Sequence, residues 1–503
     1  VEEERFTRVK LASDNIPTNS IKYCLDFSSL KIEDISVISI GWDHNKYPFF
    51  MKQFYSKHMS HKNKDTYSKN VEDIRLTQMT PKFLKERIKV SFFRSGLGSD
   101  IPKIKFHSHH LSHAASVYFP SKFTKALTFV VDGSGEELGT SIWLCQNKEI
   151  KLIRKFFLPN SLGYFYASMT EFLGFSVFTG EGKVMGMAPY GKPNIKIKKK
   201  LDKFLSFNEK EVRYILNPKF VYFDKRKTSF RHTNALTRLL GIPPRKPEGK
   251  ILDIHYDIAY ETQDLLEQIM VKLVLHFTKK YNVENICIAG GVANNCKMNG
   301  VVSSLKKIKN CFVVPTSADS GVAYGSALLE AKKHKHNKII FNQRFNAYLG
   351  PSYNSNEIEN ILKSAKINNF TKYSKSQLIS KTAKYLSDGK IVGWFQGRME
   401  IGSRALGNRS ILANPSYQNM KDKINKEVKR RENFRPFAPT IIDKEAKKWM
   451  RLDDHADIFE THRWMLQSAI AKEIMLSKAP SVVHLDKSVR PQILSYNDNP
   501  LYY

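Results

Sequence analysis

Cysteine is scarce in this 503-residue chain: Cys24, Cys145, Cys287, Cys296 and Cys311 are odd in number, scattered and never in a CxxC pair. That spacing excludes a zinc ribbon and makes a poor disulfide framework, so the reading favours a reducing, cytoplasmic setting. No stretch approaches the roughly 18 apolar residues of a membrane helix, which excludes a spanning segment of that kind. Acid is in deficit, with 48 Asp plus Glu against 81 Lys plus Arg, a net charge of +33. Wholesale disorder is excluded by a 41% hydrophobic content, because disordered chains lack that many aromatic and branched aliphatic residues. The first residue is Val1, and no basic stretch followed by an apolar one opens the chain. With an abrupt close at Leu501, Tyr502 and Tyr503, the chain reads as an internal segment of a longer protein.

A surplus of positive charge attracts polyphosphates. Here, however, Lys travels with Asn and Ile along the whole chain, in runs such as KIKKKLDKF and HKHNKII. Spread in this way it reads as a solvated surface and not as a nucleic-acid groove.

At about 150 residues per domain the length allows roughly two to four domains. KALTFVVDGSGE (Lys125–Glu136) reads as a buried strand ending in a glycine turn, and the alternation in TSIWLCQNKEIKLIRKFF as a hairpin. Tyr256–Tyr281 carries apolar residues at helical spacing and leads into the short strand of ENICIAGG. The polar, basic stretch Ala331–Asn346 is the expected junction. Beyond it come a helix near Ser376–Leu386, the strand KIVGWFQG and an Arg-studded stretch. Strands alternating with helices predict an α/β protein. The expected domains are 1–340 and 341–503.

Three motifs could carry chemistry. His107, His109, His110 and His113 cluster within seven residues. On a helix His109 and His113 share a face and can take adjacent positions around one metal, while His110 with His113 is a competing pair. DGSGE places Asp132, Gly133, Gly135 and Glu136 after an apolar strand, and TSADSG places Asp319 after another. Two Asp-bearing turns with a two-His helix would make a mixed nitrogen and oxygen site suited to Fe(II), Zn or Mn. Gly290 and Gly291 offer a further point of close backbone approach, read as an adenosine contact. The third motif, GRMEIGSRALGNRS with NKEVKRRENFRPFAP, interleaves Arg398, Arg404, Arg409, Lys429, Arg430, Arg431 and Arg435 with glycine and bulky apolar residues. Arginine forks bind carboxylates and phosphates through paired hydrogen bonds, so a small anion or nucleotide phosphate is the expected partner.

Taken in order, HHLSHAAS, DGSGE, EGKVMGMAPYG, GGVANNCKMNG, GRMEIGSRALGNRS and KRRENFRPFAP resemble the NodU-type O-carbamoyltransferases over essentially the whole chain. The resemblance implies a domain of the sugar-kinase/actin superfold, like the tRNA threonylcarbamoyl-adenosine transferases, followed by a smaller YrdC-like α/β domain. It implies that carbamoyl phosphate and ATP give carbamoyl-adenylate in the second domain. The first domain then passes the carbamoyl group to a hydroxyl of a sugar or another natural product. It maps iron ligands, Fe(II) with other divalent metals as alternatives, onto His109, His113, Asp132 and Asp319. Catalytic residues carry over to Lys10, Arg398, Arg404, Lys429, Arg431, Arg435 and Arg490, and nucleotide contacts to Gly133, Gly135, Glu136, Lys183, Gly290, Gly291, Asn295 and Lys297. The implied partner is a small hydroxyl acceptor, with nucleic acid disfavoured and no membrane; a homodimer is only the general default. The competing readings are a tRNA threonylcarbamoyl-adenosine-type transferase and a basic nucleic-acid-binding protein. A family member also has a His–Asp hairpin before EEER and an Asn-Thr-Ser-Phe-Asn segment after HLDKSVRPQ. Both are missing here, so the expected activity belongs to the longer parent. Gly182, Asn294 and Lys487 stand where the family usually has Tyr, Leu and Gly.

Overall fold

The computed structural model describes residues 1–12, 15–58, 74, 76–223, 231–333, 345–452 and 459–503. It forms two compact units, Asp14–Phe345 and Val1–Ser13 with Asn346–Tyr503. The division near 345 lies close to the expected 340, and most of the stretch read as the junction lies outside the described residues. The first thirteen residues, expected in the first domain, group with the C-terminal unit. Both units mix helices with strands, giving the two-domain α/β arrangement expected.

In the larger unit, β1 (Val37–Ile40) and β2 (Lys103–Phe106) pair in parallel. β3 (Lys125–Gly135), β4 (Leu138–Gln146) and β5 (Glu149–Phe157) make an antiparallel meander. A small hairpin, β6 (Leu205–Asn208) with β7 (Arg213–Leu216), follows. The chain then adds β8 (Asn285–Ala289) and β9 (Asn310–Phe312) in parallel on the other side of β3, giving the order β5-β4-β3-β8-β9. β3 is therefore central, and Leu127, Phe129, Val130 and Val131 are fully buried. This is why its apolar residues run on without alternating. Each such side chain contributes about 1.5–3 kcal/mol by leaving water.

Helix α1 (His109–Ser121) packs against β3 and β8 on one side. Its other side meets α5 (Ser320–Ala331), so every residue but Leu111 is buried. Between them in sequence lie α2 (Leu162–Phe172), α3 (Asp253–Tyr281) and α4 (Cys296–Ser303). α3 begins three residues before its predicted start and stops where Asn282 enters the left-handed region (φ 49°), a common helix terminator.

The C-terminal unit is built from small sheets. β10 (Val392–Phe395) pairs antiparallel with β11 (Arg409–Leu412), and β12 (Thr440–Ile442) pairs in parallel with β16 (Gln492–Leu494). β13 (Met450–Arg451), β14 (Ala469–Ala471) and β15 (Ser488–Val489) form a third sheet around Met450, Met475 and Val489. Two helices precede them, α6 (Ser355–Ser364) and α7 (Lys375–Ser387). Ser374 caps α7 by accepting the Gln377 N–H, which starts the helix one residue ahead of its predicted position.

Candidate metal centre and cation cluster

β3 carries Asp132 near its C-terminal end, and the chain continues into a turn that leans on the start of α1. One carboxylate oxygen of Asp132 is pinned: Oδ1 accepts the N–H groups of Gly133 (2.8 Å) and Gly291 (3.0 Å). The other, Oδ2, faces His109 Nε2 at 3.1 Å and His113 Nε2 at 3.4 Å. Gly291 can reach Asp132 because Gly290 holds φ at 92° against the Val131 carbonyl, where a Cβ would collide. The two imidazoles, one helical turn apart, face each other with Nε2 atoms 3.1 Å apart. Asp319, at the N-terminus of α5, presents Oδ1 at 3.7 Å from His109 and 3.8 Å from His113, and its side chain is 76% exposed. One ligand atom from each of the four residues lies within 4.8 Å of the others.

The donor set suits a divalent metal. His109 Nδ1 lies 3.1 Å from the Gly41 carbonyl oxygen. A proton donated there leaves Nε2 free to ligate. Both imidazole nitrogens and two carboxylate oxygens then aim at one point, three of the four residues are buried, and the fourth opens to solvent. With no metal, a proton takes that role. Burial opposes charging of His109, but the Asp132 hydrogen bond and the charges of Asp319, Asp132 and Glu136 outweigh it and lift its pKa to about 9. Burial likewise opposes ionisation of Asp132, yet its bonds to His109 and His113 hold its pKa well below the usual range. Asp319 moves the other way, pushed up by its surroundings and then by the Asp132 carboxylate.

The competing histidines face elsewhere. His110 Nδ1 sits 2.8 Å from Ser141 Oγ, which also accepts the Trp143 indole N–H. Burial, then the charge on His109, depresses His110 to about 3, so it is neutral. His107 Nε2 lies 2.9 Å from Glu330. The helical pair is therefore His109 and His113.

Glu136 was expected to touch a nucleotide, but the structure gives it different work. It is buried and accepts the N–H of His109 at the start of α1 (2.9 Å) and that of Asp43 (2.8 Å). Burial raises its pKa despite those bonds. Gly135 beside it has no room for a side chain, because a Cβ would strike the rings of His109 and His110. Asn295 is similarly committed. It caps α4 through the Met298 N–H and exchanges two amide bonds with Gln263. Lys297 lies in the first turn of α4, half-buried, and Lys183 sits over the Phe175 ring at 5.2 Å.

Lys10, expected beside the transfer site, is exposed and groups with the C-terminal unit. The N-terminal segment supports the arginine loop. Arg5, buried, donates to the carbonyls of Glu400 (3.3 Å) and Gly402 (2.8 Å). Glu400 is fully buried and gathers the N–H groups of Leu406, Asn408 and Arg409. This acid, overlooked among so many arginines, makes GRMEIGSRALGNR a defined loop, with Arg404 half-buried on it. Arg398 donates to the carbonyls of Gly350 and Leu349.

The remaining cations crowd together. Burial, then Arg435 and Arg490, pull Arg431 down to about 10, while its guanidinium lies 4.7 Å from the Phe437 ring centre and bonds Asn425. Burial also lowers Lys429, with Arg431 and Arg435 adding to it, and lowers Arg435, with Glu432 opposing. Lys429, Arg431, Arg435 and Arg490 thus influence one another, with Glu432 3.6 Å from Arg435, a charge pattern that suits an anionic ligand.

Two family models cover most of the chain. Residues 1–328 match a family described as carbamoyltransferase N-terminus, and residues 383–503 match carbamoyltransferase C-terminus. An uncharacterised protein of Synechocystis sp. is 33% identical over 100% of this chain and 84% of its own length. The nodulation protein NolNO of Sinorhizobium fredii is 30% identical over 100% of this chain and 68% of its own. Among solved structures, HypF of T. kodakarensis aligns over 52% of this chain and 41% of its own at 14% identity. Its TM-score of 0.27 is too low to bear on the fold.

Proposed function

Because the chain belongs to the NodU-type carbamoyltransferase family, we propose that it serves ATP-dependent O-carbamoyl transfer. In this reading carbamoyl phosphate and ATP give carbamoyl-adenylate and pyrophosphate. A hydroxyl of a sugar or another natural product then takes the carbamoyl group and releases AMP. The observation that carries the reading is the separation of two chemistries, a cation cluster in the C-terminal unit and a nitrogen/oxygen metal cluster in the other.

Lys429, Arg431, Arg435 and Arg490 would neutralise the phosphates of ATP and carbamoyl phosphate and the charge that builds as phosphorus is attacked. Arg404, on the Glu400-organised loop, would serve the same purpose. In the larger unit His109, His113, Asp132 and Asp319 would hold the metal, Fe(II) by the family resemblance, which supplies Lewis-acid polarisation of a phosphate oxygen when bound. Gly41 and Asp132 fix the ring orientation and the free nitrogen that such binding needs. The acceptor is read as a small molecule. Among the described residues no helix is long and apolar enough to cross a membrane.

The test is to measure AMP and pyrophosphate formed from ATP by the full-length protein with Fe(II), with and without carbamoyl phosphate. AMP that depends on carbamoyl phosphate supports the proposal. AMP formed only with bicarbonate and threonine moves the protein to the threonylcarbamoyl reaction, and no AMP with either overturns the proposal.

A further inference from the structure

One buried cation in the larger unit has no part in the chemistry above. Arg231 is 4% exposed. Its guanidinium lies 5.3 Å from the Tyr164 ring centre and 5.5 Å from that of Phe178. Its Nε is buried with no hydrogen-bond acceptor, and among the described residues no carboxylate pairs with the group. The obvious acid, Glu171, is spent: its Oε2 accepts the N–H of Arg231 (2.6 Å) and of His232 (2.8 Å) and bonds the His232 ring. The Arg231 carbonyl accepts from Tyr222 N–H and Ser168 Oγ, so the backbone is held.

One of the two rings, Tyr164, adjoins the turn that follows Asp132. The Tyr164 hydroxyl is 3.1 Å from Ser134 Oγ, two residues beyond Asp132, and the Tyr164 ring would be in contact with a Cβ placed on Gly133. Phe178, on the other side, is 59% exposed. Aromatic rings stabilise a guanidinium through their faces. They leave its in-plane N–H donors without acceptors, and those donors bind carboxylate or phosphate in pairs. A guanidinium whose Nε is kept out of water without an acceptor costs the fold stability.

We propose that Arg231 recognises an anionic group, phosphate or carboxylate, on a ligand of the transfer site seated against Ser134 and Tyr164. The inference rests on reading this unit as the transfer site. Two ligands could bring that group: the activated carbamoyl donor through its phosphate, or an acceptor that carries an acid. In either case Phe178 is the side chain that shifts to admit it.

Arg231→Met tests this in the full chain, since Met keeps the contact with both rings and removes the charge. Inorganic phosphate is titrated calorimetrically into wild type and variant, and both are melted without anions. The variant is expected to lose one phosphate-binding event and to melt no lower than wild type. Nonspecific binding to a surface of 81 cations would scarcely notice the loss of one. Competition by AMP for the Arg231-dependent site assigns the anion to the donor, and competition by a uronic acid assigns it to the acceptor; either supports the proposal. Unchanged phosphate binding together with a lower melting temperature overturns it, because a purely structural cation between two rings behaves in that way. These readouts need no turnover, so they remain decisive even if carbamoyl-adenylate is never detected.

Discussion

Glu136 Oε1 accepts the backbone N–H of His109 at 2.9 Å, so an acid on the turn after β3 caps the helix that carries both metal-facing imidazoles. The same carboxylate takes the Asp43 N–H, two residues from the Gly41 carbonyl that orients His109. Glu136→Ala would leave two donors short of a partner and remove a negative charge from a helix N-terminus, for a loss of about 2 kcal/mol or more. Glu136→Gln keeps one oxygen in place and should lose about 1 kcal/mol. Co(II) titration followed by absorption should show weaker binding in the order wild type, Gln, Ala, with roughly tenfold between the ends. Equal cobalt affinity in all three would mean that the cap does not orient the cluster.

Replacing His109 and His113 together by Ala should abolish bound metal, measured by elemental analysis, while carbamoyl-phosphate-dependent AMP formation persists. Metal content equal to that of the parent protein would show that the ion, if one binds, sits elsewhere.

The protonation of His109 gives the metal-free protein a pH dependence with a definite sign. Its folded pKa, about 9, is above the ordinary imidazole value of 6.5. The stability contributed by its charged pair with Asp132 is therefore complete below 6.5 and lost as pH rises through 9. Melting temperature in chelator should fall across that window. Metal binding displaces the proton, so apparent metal affinity should rise with pH over the same range. A flat melting profile from pH 6.5 to 9 would count against the pairing.

Arg435→Ala should reduce carbamoyl-phosphate-dependent AMP formation by about a hundredfold or more, the usual scale for removing one preorganised charge from a reacting phosphate. Normal AMP release would move the adenylation site away from the cation cluster.

Lys487 occupies the left-handed region at φ 60°, in the turn from His484 to Ser488. The family's usual Gly at this position has a physical reason, since a side chain there costs about 1–2 kcal/mol. Lys487→Gly should raise stability to chemical denaturation by about 1 kcal/mol after the entropy of the added glycine is set against it. A loss of stability would mean that the Lys487 side chain contributes more than its backbone costs.

Several of these features were legible in the residues alone. The unbroken apolar run of β3, the helical period of Tyr256–Tyr281 and the His109–His113 spacing are local patterns. Backbone geometry converts such patterns directly into structure. The ordered motifs carried the family in the same way, and the family models match it. Other features depend on partners far apart in the chain. Glu136 reads as part of a phosphate turn until its contact with His109, 27 residues away, is seen. Nothing near Arg5 reveals that it donates to Glu400, 395 residues on. Such pairs have no period and no fixed spacing.

The sequence by itself determined the α/β class, the family and the residue types available for metal and anion chemistry, because these follow from local pattern and composition. Only the tertiary structure decided which histidines converge, that the opening residues belong with the C-terminal unit, and that Arg231 is buried against Tyr164 and Phe178 with no carboxylate paired to it among the described residues. Those outcomes depend on which distant side chains exclude water from one another, and burial of that kind is a property of the folded chain as a whole.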